Sequence, residues 1–208
     1  MTISHQDLDA LCRVGASAVA TGLVIGSGGN LSLRDGDNGL VVTGKGTWLD
    51  SLTPDQFAHI SYEGDSQGDV TPSSEWRLHA RVYQARKDVQ AVVHIHPQFT
   101  LLLTALGHKI RFITQDHAFY VGSYGQTKYW TNGSDELADT AAEQLSSGEH
   151  NVVVMGHHGI CAVGDSIQAA YRRALNMEEA AKLTYHALLL GDTDSVFPPE
   201  ELAKLHHQ

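Results

Sequence analysis

The run Ala91-Val92-Val93-His94-Ile95-His96-Pro97 constrains this chain more than any other segment. Apolar residues in series predict a buried strand, and Pro97 closes it because proline brings no N–H to a sheet interior. Residues two apart in an extended strand share a face at roughly 6.5 Å, so two imidazoles can converge on one metal ion. A divalent-metal site is the first functional expectation. Paired histidines also line polar clefts without a metal, so a second segment has to supply a further ligand. Asn151-Val152-Val153-Val154-Met155 reads as another buried strand, and it stops at Gly156-His157-His158-Gly159. Enzyme zinc characteristically takes three protein ligands and leaves one position open, a count met by two histidines from one strand and one from another. On the residues alone, the choice between His157 and His158 stays open.

With 208 residues, 42% of them apolar, the chain suits one ordinary domain with a real core, and no apolar stretch is long enough to span a bilayer. A soluble protein is expected. The start, Met1 to Asp7, lacks the basic and apolar parts of a secretory signal, and Cys12 and Cys161 give no disulfide framework, so the cytoplasm is the expected compartment. A net charge of −10 without a Lys/Arg run argues against nucleic acid as a partner. An anionic small molecule fits only where local groups outweigh the overall field. Among the 13 histidines, His5, His59, His108, His150, His206 and His207 sit in polar or turn surroundings and are expected at the surface. His206-His207 could chelate a metal weakly, but a frayed tail is the expected state.

Helical spacing of apolar residues predicts a first helix from Ser4 to about Ala20, with Gly22 as its stop. Two strands, Leu31–Arg34 and Leu40–Thr43, follow around a turn-rich loop, then a short strand over Ala58–Tyr62 and a polar turn region from Glu63 to Val70. A helix is predicted from Pro72-Ser73-Ser74-Glu75 to about Arg86, another through Leu101–Leu106, and one over Asp135–Leu145 capped by Ser134. Ile110–Ile113 and Phe119–Val121 read as short strands. Val152–Met155 and Ile160–Val163 flank the His-His turn, and a long helix then runs to Leu190, with Gly191 as its stop. The pattern predicts one α/β domain over 1–208 with its core at about 8–190, a mixed sheet covered by helices, and a loosely attached tail after Asp192.

Several polar segments could act with the histidines. Ser27-Gly28-Gly29-Asn30 can form a concave nest of backbone N–H groups for an anion, although a tight turn between helix and strand explains it equally. Thr43-Gly44-Lys45-Gly46-Thr47 repeats that chemistry. Ser73 and Ser74 stand at a helix start, where free N–H groups favour phosphate, or they are ordinary N-caps. Glu75 either complements the helix dipole or, if it faces a metal, serves as a general base.

Taken in order, G-G-N-L-S, T-G-K-G-T, P-S-S-E, H-I-H-P and G-H-H-G resemble the class II aldolase/adducin family over about Leu8 to Leu190. The resemblance implies a three-layer α/β fold with a central mixed, largely antiparallel sheet flanked by helices. It also implies a divalent ion of the Zn2+ type at a subunit interface, in a cyclic homotetramer whose neighbour contributes to each active site. Carried over residue by residue, it makes His94, His96 and His158 the metal ligands, because the family histidine directly precedes the motif glycine. Gly29, Asn30, Thr43, Gly44, Ser73 and Ser74 match the phosphate-binding positions. Glu75 matches the catalytic acid/base that can also approach the vacant metal position.

The implied activity is that of a lyase: reversible cleavage of a ketose 1-phosphate to dihydroxyacetone phosphate and an aldehyde. Ser73-Ser74-Glu75 favours this branch over the epimerase branch, which has aspartate at the position of Glu75. Family aldolases place a tyrosine after the metal-binding strand to protonate the aldehyde oxygen, and another near the C-terminus. Here Tyr120, His117 or Asp116 could hold that role, and Phe197 to Gln208 contains no tyrosine. This departure sets a deoxypentulose or methylthiopentulose phosphate beside L-fuculose 1-phosphate as substrate. A 3-oxo-tetronate 4-phosphate decarboxylase, or another family lyase or epimerase, is the alternative. A non-catalytic adducin-like scaffold is expected to lose metal ligands, which this chain keeps.

Overall fold

A computed structural model describes residues 3–205, so the expected His206-His207 tail lies outside the described residues. Helix α1 (His5–Ala20) starts at Ser4, whose hydroxyl accepts from the Asp7 amide while the Asp7 carboxylate accepts from the Ser4 amide. The hairpin β1 (Asn30–Asp35) and β2 (Gly39–Thr43) follows, then β3 (Phe57–Ser61) and β4 (Ser66–Gln67). Next come α2 (Trp76–Ala85), β5 (Ala91–Ile95), α3 (Gln98–Ala105), α4 (Gln115–Tyr120) and β6 (Gly125–Thr127). The chain continues through α5 (Asp135–Ser146), β7 (Val152–Met155), β8 (Gly159–Gly164), α6 (Ile167–Leu189) and α7 (Pro199–Leu205).

The eight strands form one sheet in the order β4-β3-β2-β1-β5-β8-β7-β6. Every pairing is antiparallel except β6 with β7. Strand alternation divides the apolar side chains between two cores. Leu31, Val93, Ile95 and Ile160 pack on the side of α1, α3 and α6. Val42, Val92, Cys161 and Val163 pack on the side of α2 and α5. The same alternation turns Ser32 of β1 toward α2, where it meets His79 and Tyr83. Asn30 lies directly opposite His94 across the β1–β5 ladder. The end of β5 is further anchored by Glu178 of α6, whose carboxylate accepts from the Phe99 and Thr100 amides at the start of α3.

Several expectations are corrected. Ile110–Ile113 is not a strand, and Phe119–Val121 belongs to helix α4 and its cap, because the Thr114 side chain caps a helical turn there. The short strands β4 and β6 were not anticipated. Helix α2 begins at Trp76 rather than at Pro72, with Ser73 and Ser74 in the turn before it. The segment after Asp192 is tied down: the Phe197 amide donates to the Phe112 carbonyl at 2.7 Å, and Arg111 holds Asp192. It also forms α7. His59 and His150 are half-buried rather than free at the surface, pairing with Asp35 and Ser123.

Candidate active site

Two loops meet because a single bridge pairs Gly44 with Pro72. The Lys45 amide donates to the Thr71 carbonyl at 2.9 Å and the Ser73 amide to the Thr43 carbonyl at 3.0 Å, so T-G-K-G-T and P-S-S-E form one wall. A Cβ on Gly44 would fall 2.8 Å from the Gln56 carbonyl oxygen, so the close pass of this wall over Gln56 requires glycine. Past the end of β5, the His96 amide donates to the Leu23 carbonyl, carrying His96 beside His94. The turn between β7 and β8 puts His157 in the left-handed region at φ 56° and leaves it exposed, while His158 turns inward. Geometry thus separates the two histidines that the residues alone left equivalent.

Glu75, His94, His96 and His158 offer four donor atoms, all within 4.8 Å of one another. The Nε2 of His94 lies 2.9 Å from Glu75 Oε2 and 3.1 Å from the Nε2 of His96. The Nε2 of His158 lies 3.1 Å from Glu75 Oε1. That oxygen nonetheless has no hydrogen-bond partner among the described residues. His94 Nδ1 is 2.9 Å from the Ile160 carbonyl, which can only accept, so Nδ1 carries a proton and in the neutral ring Nε2 presents its lone pair inward. Lone pairs facing one another beside a buried carboxylate make an electron-rich pocket that a cation relieves. Donors about 2.1 Å from a tetrahedral zinc stand roughly 3.4 Å from one another, close to the separations here. The residues fit a divalent ion.

The same crowding sets the titration of the groups. Burial of Glu75 favours its neutral form, but His94 and His158 outweigh that and hold the carboxyl well below its usual range. Burial lowers His94, and the charge and hydrogen bond of Glu75 reverse this to a net rise. For His96, burial comes first and the neighbouring His94 second, and together they push it down to about 3.

A cavity of about 130 Å³ opens beside the four donors. Gly29, Asn30, Gly44, Ser73 and Ser74 line it, next to Glu75 and His96. Thr43 does not; its buried hydroxyl accepts from the Leu31 amide at 3.3 Å and ties β2 to β1. His117 and Tyr120 lie on α4, outside the cavity lining: His117 is buried with Glu179 and Asp116 nearby, and Tyr120 packs under the Arg172 guanidinium at 5.0 Å. Lys45, singled out in the sequence only as part of T-G-K-G-T, and Asn132, which no motif contains, also line the cavity. A lone lysine between two glycines was the available signal for Lys45. Asn132 gave none, because it reaches Ser73 and Ser74 only through the loop before α5, where Gly133 at φ +75° comes too close to the Ser74 carbonyl for any Cβ.

A mixed sheet between helical layers, with three imidazoles from the β5 and β8 ends meeting a carboxylate at the start of α2, defines an α/β scaffold with a candidate metal centre. The model of the class II aldolase and adducin N-terminal domain matches residues 9–185, and the chain belongs to that family. It is 31% identical to the 5-methylthioribulose-1-phosphate/5-deoxyribulose-1-phosphate aldolase of Rhodospirillum rubrum, across 99% of this chain and 90% of the relative. It is 31% identical to the L-fuculose phosphate aldolase of Methanocaldococcus jannaschii, across 80% of this chain and 89% of that protein. A solved L-fuculose 1-phosphate aldolase superposes with a TM-score of 0.85 at 27% identity, covering 97% of this chain and 95% of its own.

Proposed function

We propose that the protein is a divalent-metal-dependent aldolase that reversibly cleaves a ketose 1-phosphate to dihydroxyacetone phosphate and an aldehyde. The observation that carries this reading is the convergence of His94, His96, His158 and Glu75 beside a cavity walled by backbone amides and serine hydroxyls. Similarity to the Rhodospirillum enzyme over nearly the whole chain supports a 5-deoxypentulose or 5-methylthiopentulose 1-phosphate, with L-fuculose 1-phosphate as the second candidate.

In this account the three imidazoles, with Glu75 as an exchangeable fourth donor, hold the ion, which is Zn2+ on the strength of its imidazole-rich ligands. When bound, it supplies a Lewis acid that stabilises negative charge developing on adjacent substrate oxygens. Gly29, Asn30, Thr43, Gly44, Ser73 and Ser74 bind the phosphate; four of them do so by direct lining, Asn30 by its amide, and Thr43 by holding the wall in place. In the condensation direction, Glu75 takes a proton from the hydroxymethyl carbon of dihydroxyacetone phosphate. That carbon's electron pair forms the bond to the aldehyde carbon, and the aldehyde oxygen takes a proton from Tyr120 or His117. Solvent returns the proton from Glu75 to the donor.

Because α4 stands outside the cavity of its own chain, the donor comes from an adjacent copy in a cyclic homotetramer with the site at the subunit interface. The whole chain acts as one domain. Among the described residues no helix is long and apolar enough to cross a membrane. Both described cysteines are free, which supports a cytoplasmic setting.

The test is a panel assay with the metal-loaded protein. Release of dihydroxyacetone phosphate from 5-deoxyribulose 1-phosphate, 5-methylthioribulose 1-phosphate or L-fuculose 1-phosphate is the expected result. No cleavage of any of these, with carbon dioxide released from 3-oxo-tetronate 4-phosphate instead, would make the protein a decarboxylase.

A further inference from the structure

A chain of buried polar side chains leads from the middle of the sheet to Glu75. The hydroxyls of Tyr83 and Ser32 are 2.7 Å apart, Ser32 Oγ is 2.6 Å from His79 Nδ1, and His79 Nε2 makes a short contact with Asn30 Oδ1. Asn30 Nδ2 then donates to Glu75 Oε2 at 3.0 Å. Tyr83, Ser32 and His79 are completely buried, so no water competes for them, and Asn30 and Glu75 are nearly so at the cavity edge.

The donor inventory gives the chain one direction. A carboxylate only accepts, so the Asn30 amide nitrogen must face Glu75 and its carbonyl must face His79. The ring proton of His79 therefore sits on Nε2. Nδ1 then accepts from the Ser32 hydroxyl, which accepts in turn from Tyr83. Burial holds His79 down to about 3, so the ring stays neutral and keeps this single arrangement. Had the Asn30 amide turned over, a carbonyl oxygen would oppose the carboxylate.

We infer that His79 is a positioning residue: acting through Asn30, it fixes the amide orientation that tethers Glu75 Oε2 and leaves Oε1 as the oxygen presented for proton transfer. The inference rests on the role proposed for Glu75. It adds a function to Asn30, which also lines the cavity. The relay ends on a reacting group rather than on a backbone carbonyl, where a buried histidine serving packing alone would donate.

The experiment compares His79→Phe, which removes the donor, with His79→Gln, which retains one. His79→Phe is expected to lower kcat about 10–100-fold, the usual cost of losing a partner behind a catalytic or ligating group, with metal content and KM little changed. His79→Gln is expected to recover most of that loss. In an Asn30→Ala background the His79→Phe substitution should lower kcat no further, since its effect passes through Asn30. Independent, multiplying effects of the two substitutions would overturn the inference, as would wild-type kcat in His79→Phe. Nitrogen NMR of ring-labelled wild type reads the tautomer without any turnover. A proton on His79 Nε2, with a resonance that moves in Asn30→Ala, is the expected result, and a proton on Nδ1 would refute the relay even if the aldolase assay succeeds. If no ketose phosphate is cleaved but the Nε2 tautomer is found, the proposed substrate falls and the relay stands.

Discussion

Glu75 has two relations to the histidines around it, and each predicts something different. As a donor near the Nε2 atoms of His94 and His158 it is one of four possible ligands; as a carboxylate whose Oε1 faces His158 without a hydrogen bond it is the available base. Glu75→Gln keeps the shape and removes the basicity, while three imidazoles suffice to hold a divalent ion. Turnover in that variant is expected to fall by about 10²–10⁴, with metal retained. A Glu75→Gln protein with wild-type kcat would remove the residue from the chemistry.

The buried histidines also predict an acid response in the metal-free protein. His79 and His96 are each lowered from 6.5 to about 3, so below 6.5 the unfolded chain takes up protons that the folded one refuses. Their contribution is complete above that value and is lost as pH falls toward 3. Glu75, also held down, loses its contribution in the same direction below its ordinary range, whereas His94, held up, opposes the trend. Urea unfolding across this window should show stability falling with pH, and less steeply in His79→Gln. An unchanged slope in that variant would show that its ring titrates alike in both states.

At the scale of elements, the site depends on how closely β5 and β8 approach. A Cβ on Gly159 would lie 2.6 Å from His96 Cδ2, 2.7 Å from the Ile95 carbonyl oxygen and 2.8 Å from His94 Cε1. One of those contacts is backbone, so β5 and β8 have to separate and the rings shift with them. Gly159→Ala is expected to weaken metal retention through dialysis while circular dichroism stays native; full retention would mean the strands have slack that the structure denies.

This is also the scale at which sequence is readable or not. The buried strands β5, β7 and β8 were legible because apolar runs ended by Pro97 or by a glycine turn carry their own boundaries. Helix α4 was not, since Phe119-Tyr120-Val121 has strand-like composition and only the Thr114 cap decides for a helix. The strands β4 and β6 have two and three residues, too few for a period to show. The histidines of the candidate site stand out by local spacing. The relay does not, because Ser32 meets His79 across 47 positions, and a histidine in an apolar helix face reads as packing.

For the whole molecule, the proposed origin of the proton donor in an adjacent copy predicts cooperation between copies. A Glu75→Gln chain and a Tyr120→Phe, His117→Gln chain are each expected to be inactive. Refolded together in equal amounts, they should regain about a quarter of wild-type activity, the share of sites that draw an intact base from one chain and an intact donor from the next in a cyclic assembly. Activity no greater than that of the separate variants would place the donor elsewhere.

The account as a whole requires that three distant stretches of sequence, around Glu75, His94 and His158, close on one ion. Elemental analysis of carefully dialysed protein measures this most directly. One divalent ion per chain in the wild type, and its loss in His94→Ala with the fold intact, is the predicted result. Wild-type protein without a bound ion after metal loading, or His94→Ala protein that keeps a full complement, would contradict it.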